Sequence, residues 1–187
     1  MTAKIQQTKL NAISAKNLHR KSKWKYEFIN GVVIFLTIIV PVLFIIAQYV
    51  SKGTDSETLI NTISFILSVM LISVSIFSMI IKVGDKISTH KLGIKNNLYI
   101  ANECDNLSTL GDEELRWFFR YVTEIDNQDN DTFSNVSDNT KRKTYREALK
   151  EFNPADYSIT CPVCNSSPWE FKKGDCQLCG NTKTKIL

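Results

Sequence analysis

Two long stretches of the chain carry no charged side chain: Phe28 to Val50 and Leu59 to Ile81. Between Gly31 and Ala47 only Thr37 and Pro41 interrupt the apolar sequence. As a helix, 59–81 spans about 34 Å at ~1.5 Å per residue, enough for a hydrocarbon core of roughly 30 Å. Core helices of soluble bundles normally keep a polar face and seldom run this far without one. A cleaved leader fits the first run poorly, because its apolar region is typically about 7–15 residues and Gln48, Tyr49 and Val50 make a poor cleavage site. The pattern predicts a transmembrane hairpin over 28–82, with spans at 28–50 and 59–81. Pro41 removes one backbone donor in mid-span and predicts a passive bend there.

The second run is the more polar. Asn61, Ser64, Ser68, Leu71, Ser75, Ser78 and Lys82 recur at alternating spacings of three and four, which is one face of a helix. Lipid offers hydroxyls no partner, so this stripe should face protein or water. It reads either as a close-packed helix seam, where serine lets backbones approach, or as the lining of an oligomeric pore. Both readings call for further helices, and a homo-oligomer is the expectation.

Beyond the hairpin the period changes. Residues 83–104 read as a helix, with Cys104 a reduced structural thiol at its end. Gly111 interrupts the chain, and Asp112, Glu113 and Glu114 suit a helix N-terminus. Leu115, Phe118, Phe119, Val122 and Ile125 then form an apolar face. Residues 126–138, starting Asp-Asn-Gln-Asp-Asn-Asp, read as a solvated loop; the run lacks the glycine and terminal glutamate of a calcium loop. A last helix is expected over 137–152, with Tyr145, Ala148, Leu149 and Phe152 inward and Pro154 ending it.

Bulk composition hides this division. The 187 residues have 43% hydrophobic side chains, a net charge of +4 and a mean hydropathy of −0.12, values typical of a soluble domain. Up to residue 95 there are 12 basic and 4 acidic residues (net +8); after it there are 11 and 15 (net −4). Residues 1–27 hold seven basic side chains against Glu27 alone, and Lys82, Lys86, Lys91 and Lys95 follow the second run. The connector 51–58 has only Lys52 with Asp55 and Glu57. The positive-inside rule puts both termini in the cytoplasm, with Trp24 and Tyr26 at the interface. No phosphate loop, glycine-rich nucleotide turn or Ser/His/Asp set occurs, and the only histidines, His19 and His90, lie far from the cysteines in sequence. A non-enzymatic protein is expected.

The most specific chemistry lies at the C-terminal end. Cys161-Pro-Val-Cys164 and Cys176-Gln-Leu-Cys179 are two CxxC turns separated by eleven residues. Each can supply two thiolates to a tetrahedral Zn²⁺, and four cysteines leave no open position, so the metal would be structural. Pro162 stiffens the first turn, and Gly180 permits a left-handed residue after the second. Trp169–Lys172 reads as a short strand paired with 182–187, completing a zinc-ribbon hairpin that needs its metal to fold. Disulfides or a redox CxxC are the alternatives, and disulfides suit a cytoplasmic face poorly. From Tyr157 onward the charge is weakly positive and arginine-free, which argues against nucleic acid as a partner.

The resulting fold class is mainly α, in four parts: a basic cytoplasmic N-terminal helix (1–27), the transmembrane hairpin (28–82), a cytoplasmic helical region (83–154) and a small C-terminal β zinc ribbon (155–187). The spacing at Cys161, Cys164, Cys176 and Cys179, together with the hairpin, resembles the mobilome-associated CxxCx(11)CxxC proteins. Their membrane part resembles the SLATT class of two-transmembrane effectors. That resemblance implies a role in bacterial conflict or anti-phage systems, on mobile elements. It further implies assembly in the inner membrane, and pore formation or membrane perturbation once a separate sensor protein fires. It would assign the pore face to Ser64, Ser68, Ser75 and Ser78. The competing expectation is a non-conducting membrane adaptor whose ribbon recruits a protein or nucleic acid.

Overall fold

The computed structural model describes residues 2–107 and 111–183. Five helices follow one another: α1 (Thr2–Ser51), α2 (Glu57–Ile80), α3 (Val83–Glu103), α4 (Asp112–Thr132) and α5 (Asp138–Phe152). They build two compact units, Lys23–Thr89 and Met1–Ser22 with His90–Leu187. Helices α1 and α3 contribute residues to both.

In the unit Lys23–Thr89, α1 continues unbroken through Pro41 and ends at a tight turn. The turn is held by Thr54 N–H and Oγ1 donating to the Ser51 carbonyl, at 3.0 and 2.7 Å, and by Gly53 N–H donating to Glu57 Oε2 at 2.8 Å. Both helices are long and apolar enough to cross a membrane, and their greasy surface is outside. In the most apolar 18 residues of α1 none is buried, and in those of α2 only 6% are.

The serine stripe lies on the inner face of this hairpin. Ser64 is 6% exposed, and Ser68, Leu71, Ser75 and Ser78 are half-buried, whereas the α2 residues between them are exposed. On α1 the half-buried positions Asn30, Val33, Thr37, Val40, Phe44 and Ala47 recur at the same spacings of three and four. Among them Thr37 and Ala47 on α1 and the serines on α2 are small enough to let two helices approach closely. Ser68 Oγ satisfies itself on the Ser64 carbonyl at 2.8 Å. Asn61 is exposed, and with Ser64, Ser68, Pro41 and Gln48 it lines a cleft of about 390 Å³ between the two helices.

The other unit is a helical core. Leu10 and Ile13 of α1 pack with Ile100, Leu107, Phe118, Ala148 and Leu149, all under 8% exposed. On α4 the buried residues are Leu115, Phe118, Val122 and Ile125, as their period predicts, and Gly111 N–H donates to Glu114 Oε2 at 2.9 Å at the helix start. On α5 they are Thr144, Tyr145, Ala148 and Leu149.

One expectation is corrected: 126–132 is not a loop. Helix α4 runs through Thr132, because its inward face extends one more turn to the buried Asp129, whose oxygens are satisfied by other helices. The Asp/Asn-rich composition of that turn is the mark of a loop only while those partners are unseen. Cys104 lies just past α3, 5% exposed; burial, reinforced by Asp105, pushes its thiol up to about 11. It is an inert core residue.

Candidate metal centre

Two backbone turns of the same design carry the cysteines. In the first, Asn165 N–H donates to the Cys161 carbonyl at 2.8 Å and Cys161 N–H to the Ser166 carbonyl at 3.0 Å. In the second, Gly180 N–H donates to the Cys176 carbonyl at 2.8 Å and Cys176 N–H to the Asn181 carbonyl at 3.2 Å. The residue after each second cysteine is left-handed: Gly180 at φ +70 and Asn165 at φ +56. Asparagine tolerates that region better than other non-glycine residues, which explains how the first turn manages without glycine.

The four cysteines are buried, at 0, 2, 5 and 1% exposure for Cys161, Cys164, Cys176 and Cys179. Their Sγ atoms all lie within 4.8 Å of one another, with Cys161 to Cys176 at 3.8 Å and Cys164 to Cys179 at 3.3 Å. Four sulfurs on a tetrahedron with bonds of about 2.3 Å stand roughly 3.8 Å apart, whereas a disulfide needs about 2.05 Å. All five cysteines are free thiols. The site can hold a metal ion, and the geometry suits one far better than it suits disulfides. At Cys176 burial opposes ionisation, but the N–H groups of Cys179 and Leu178 outweigh it and hold the thiol down to about 6. Burial pushes Cys161 and Cys179 up.

The two turns are joined with little β structure. The expected strand at Trp169–Lys172 is not formed, and among the described residues the pairing is a single antiparallel bridge, Lys173 with Asn181. The reason is the buried Asn181 side chain. It accepts from Lys172 N–H at 3.1 Å and donates to the Ser167 and Glu170 carbonyls at 3.1 and 3.3 Å, replacing ladder bonds. Residues 184–187 of the expected partner strand lie outside the described residues.

The cysteine module is part of the helical core, with α5 its support. All four cysteines belong to the same buried cluster as Leu10, Ile100 and Leu149. Arg142 donates to Gln177 Oε1 at 3.0 Å, and Arg146 Nη1 donates to the Cys179 carbonyl. The Arg146 guanidinium stands 3.9 Å from the Phe171 ring centre, and Lys150 Nζ 4.8 Å from that of Trp169. Beside Arg146, the Tyr145 hydroxyl is fully buried, next to the Gln7 side chain. Burial raises its phenol to about 12, with Cys161, Cys179 and Cys176 adding to the rise, so it keeps its proton.

A second polar constellation was hidden in the sequence. His19 of α1, His90 and Asn97 of α3 and Asp129 of α4 meet in the core, each under 9% exposed. His19 Nε2 lies 2.7 Å from Asp129 Oδ1, Asn97 Nδ2 donates to Asp129 Oδ2 at 2.7 Å, and the Nδ1 atoms of His19 and His90 are 2.9 Å apart. With Asp129 ionised and both rings neutral, Nε2–H of His19 donates to Asp129. Its Nδ1 must then accept from Nδ1–H of His90. The two histidines stand 71 positions apart, and no local motif links them.

The chain matches the family described as mobilome CxxCx(11)CxxC protein over residues 2–182. No curated protein and no solved structure matches it. The family match covers both apolar helices, the helical core and the four-cysteine centre, and the chain belongs to the mobilome CxxCx(11)CxxC proteins.

Proposed function

We propose that the chain is a SLATT-like membrane effector of a bacterial conflict or anti-phage system, non-enzymatic and held in the inner membrane by the α1–α2 hairpin. The observation that carries this reading is the hairpin surface, apolar and almost wholly exposed over both long helices. Such a surface is stable only in lipid or against other copies of itself. The lysine-rich flanks favour a cytoplasmic side for both termini under the positive-inside rule. There the four-cysteine centre holds a structural Zn²⁺, chosen by its all-thiolate tetrahedron. A separate sensor protein acts on this cytoplasmic unit, and the hairpins assemble and perturb the bilayer.

A second reading is favoured by one observation. Ser64, the most buried residue of the polar stripe, is already used inside a single hairpin, at 6% exposure. A pore lined by these serines would have to open that seam, whereas a non-conducting anchor leaves it shut. Expression of the full chain in bacteria with its cognate sensor, read by a membrane-potential dye, separates the two. Depolarisation that Ser68→Leu alters supports the effector. Unchanged potential and growth with the sensor active remove it and leave the anchor.

A further inference from the structure

At the end of the hairpin opposite its connector, lysines from two helices gather beside exposed apolar side chains. Lys86 Nζ of α3 stands 5.3 Å from the ring centre of Tyr26, which sets the first turn of α3 against α1. Lys82 lies one turn before Lys86, and Lys23 and Lys25 precede Tyr26 within one turn. Four ammonium groups therefore share about two helical turns, against Glu27 and Asp85. Lys23 is tied to Glu27 at 3.5 Å. Lys25 and Lys82 are exposed, and among the described residues their side chains have no partner. Next to them stand Phe28, Trp24, Ile80 and Met79, 62–78% exposed, with the rings of Trp24 and Phe28 stacked at 6.0 Å.

Lys82 also holds an unusual backbone. It follows the C-cap of α2 at φ +53, a left-handed position that glycine or asparagine normally fills. A cation suits a helix C-terminus, but a lysine in the preceding turn would supply one without backbone strain. The strained position points to a task for this ammonium group at this level. We propose that Lys25, Lys82 and Lys86 bind the headgroup of an anionic phospholipid. Its acyl chains lie against the apolar surface that begins at Phe28 and ends at Ile80, and its headgroup bridges α1 and α3 at the break after α2. A phosphate ester is the chemistry recognised, and the apolar residues beside the lysines assign it to a lipid. The proposal rests on the membrane reading of the hairpin.

The test places the full chain in nanodiscs of equal parts phosphatidylcholine and phosphatidylglycerol. Native mass spectrometry counts the lipids that stay bound after gentle extraction. Wild type, Lys82→Asn, Lys82→Arg and Lys52→Gln are compared. Asparagine accepts the left-handed backbone and removes the charge, and Lys52 is the lysine of the connector at the opposite end. Wild type is expected to retain phosphatidylglycerol over phosphatidylcholine. Lys82→Asn should cut that preference about fivefold, the factor for one lysine at an anionic surface. Lys82→Arg should keep it, and Lys52→Gln should leave it unchanged. Soluble glycerol phosphate should not displace the lipid; displacement would assign the site to free phosphate and overturn the lipid. No preference in wild type, or an equal loss in Lys52→Gln, overturns the proposal. So does a Lys82→Asn chain altered in thermal stability alone. A wild-type chain that enters no nanodisc overturns the membrane reading itself.

Discussion

The Nε2 atom of His19 lies 2.7 Å from Oδ1 of Asp129, a contact between residues 110 positions apart. It ties the N-terminal part of α1 to α4 through a polar bond in the core. Both partners are over 90% buried, so each depends on the other for satisfaction.

Asp129→Asn tests the hydrogen count of this network. Asp129 now accepts two donors, one from His19 and one from Asn97. An asparagine can offer an oxygen to only one of them and turns an N–H on the other. The expected loss is about 1–3 kcal/mol, the cost of one unmet buried donor. Chemical denaturation of the full chain in detergent, followed by helical circular dichroism, measures it; unchanged stability would count against the network as drawn.

Gly93→Ala tests the packing that makes the bond possible. A Cβ on Gly93 would stand 2.3 Å from Cε1 and Nε2 of His19, well inside contact distance. The ring cannot swing away freely, since both its nitrogens are engaged. Overpacking of this kind costs about 1–3 kcal/mol. The same denaturation experiment should show it, while Gly84→Ala, whose Cβ would meet nothing within 4 Å, should show far less.

How far the sequence disclosed this molecule depends on the range of the interactions concerned. The hairpin, the faces of α4 and α5 and the paired CxxC turns are set by periods of three to four residues or by fixed spacings. They are legible in Leu115, Phe118 and Val122, or in Cys161 and Cys164, taken alone. The continuation of α4 through Asp129 and the meeting of His19 with His90 rest on partners many positions away. Asn181 misled in the other direction, because its side chain takes over bonds that a strand would have made. The Asp/Asn run at 126–131 reads as a loop until His19 and Asn97 are in view.

The N-terminal segment, which the charge pattern marks only as basic, is also held by distant partners. Leu10, Ala12 and Ile13 of α1 lie in the core built by α3, α4 and α5. A fragment beginning at residue 83 lacks them and should fail to give sharp, dispersed amide signals by NMR. In the full chain, Ile13→Ala should cost about 2–5 kcal/mol, as a buried large-to-small change does.

Glu151 gives the acid limb of stability a defined contributor. Burial opposes its ionisation, but hydrogen bonds from Lys16 and Asn17 outweigh it and hold the carboxyl below its usual range. A group depressed in the folded state stabilises above its unfolded pKa, about 4.3 for glutamate, and that stabilisation is lost as pH falls through the folded value. The side chain is 42% exposed, so the pair contributes only about 0–1 kcal/mol. The stability difference between wild type and Lys16→Met should be steady at neutral pH and close below about pH 4. A difference that widens on acidification would contradict the assignment.

Metal removal should reach beyond the cysteine segment. The four ligands share one buried cluster with Leu10, Ile100 and Leu149, so losing the ion loosens the floor on which α5 and α1 rest. A chelator applied under reducing conditions should lower the unfolding midpoint of the whole unit formed by Met1–Ser22 and His90–Leu187. A loss of about 4 kcal/mol corresponds to roughly 10 °C for a chain of this size. Hydrogen exchange should quicken at Ala148 and Leu149 as well as at the CxxC turns. Protons compete with the metal for thiolates, so removal should be easier at lower pH. Faster exchange confined to 161–181, with α5 unchanged, would mean that the module is only an appendage of the core.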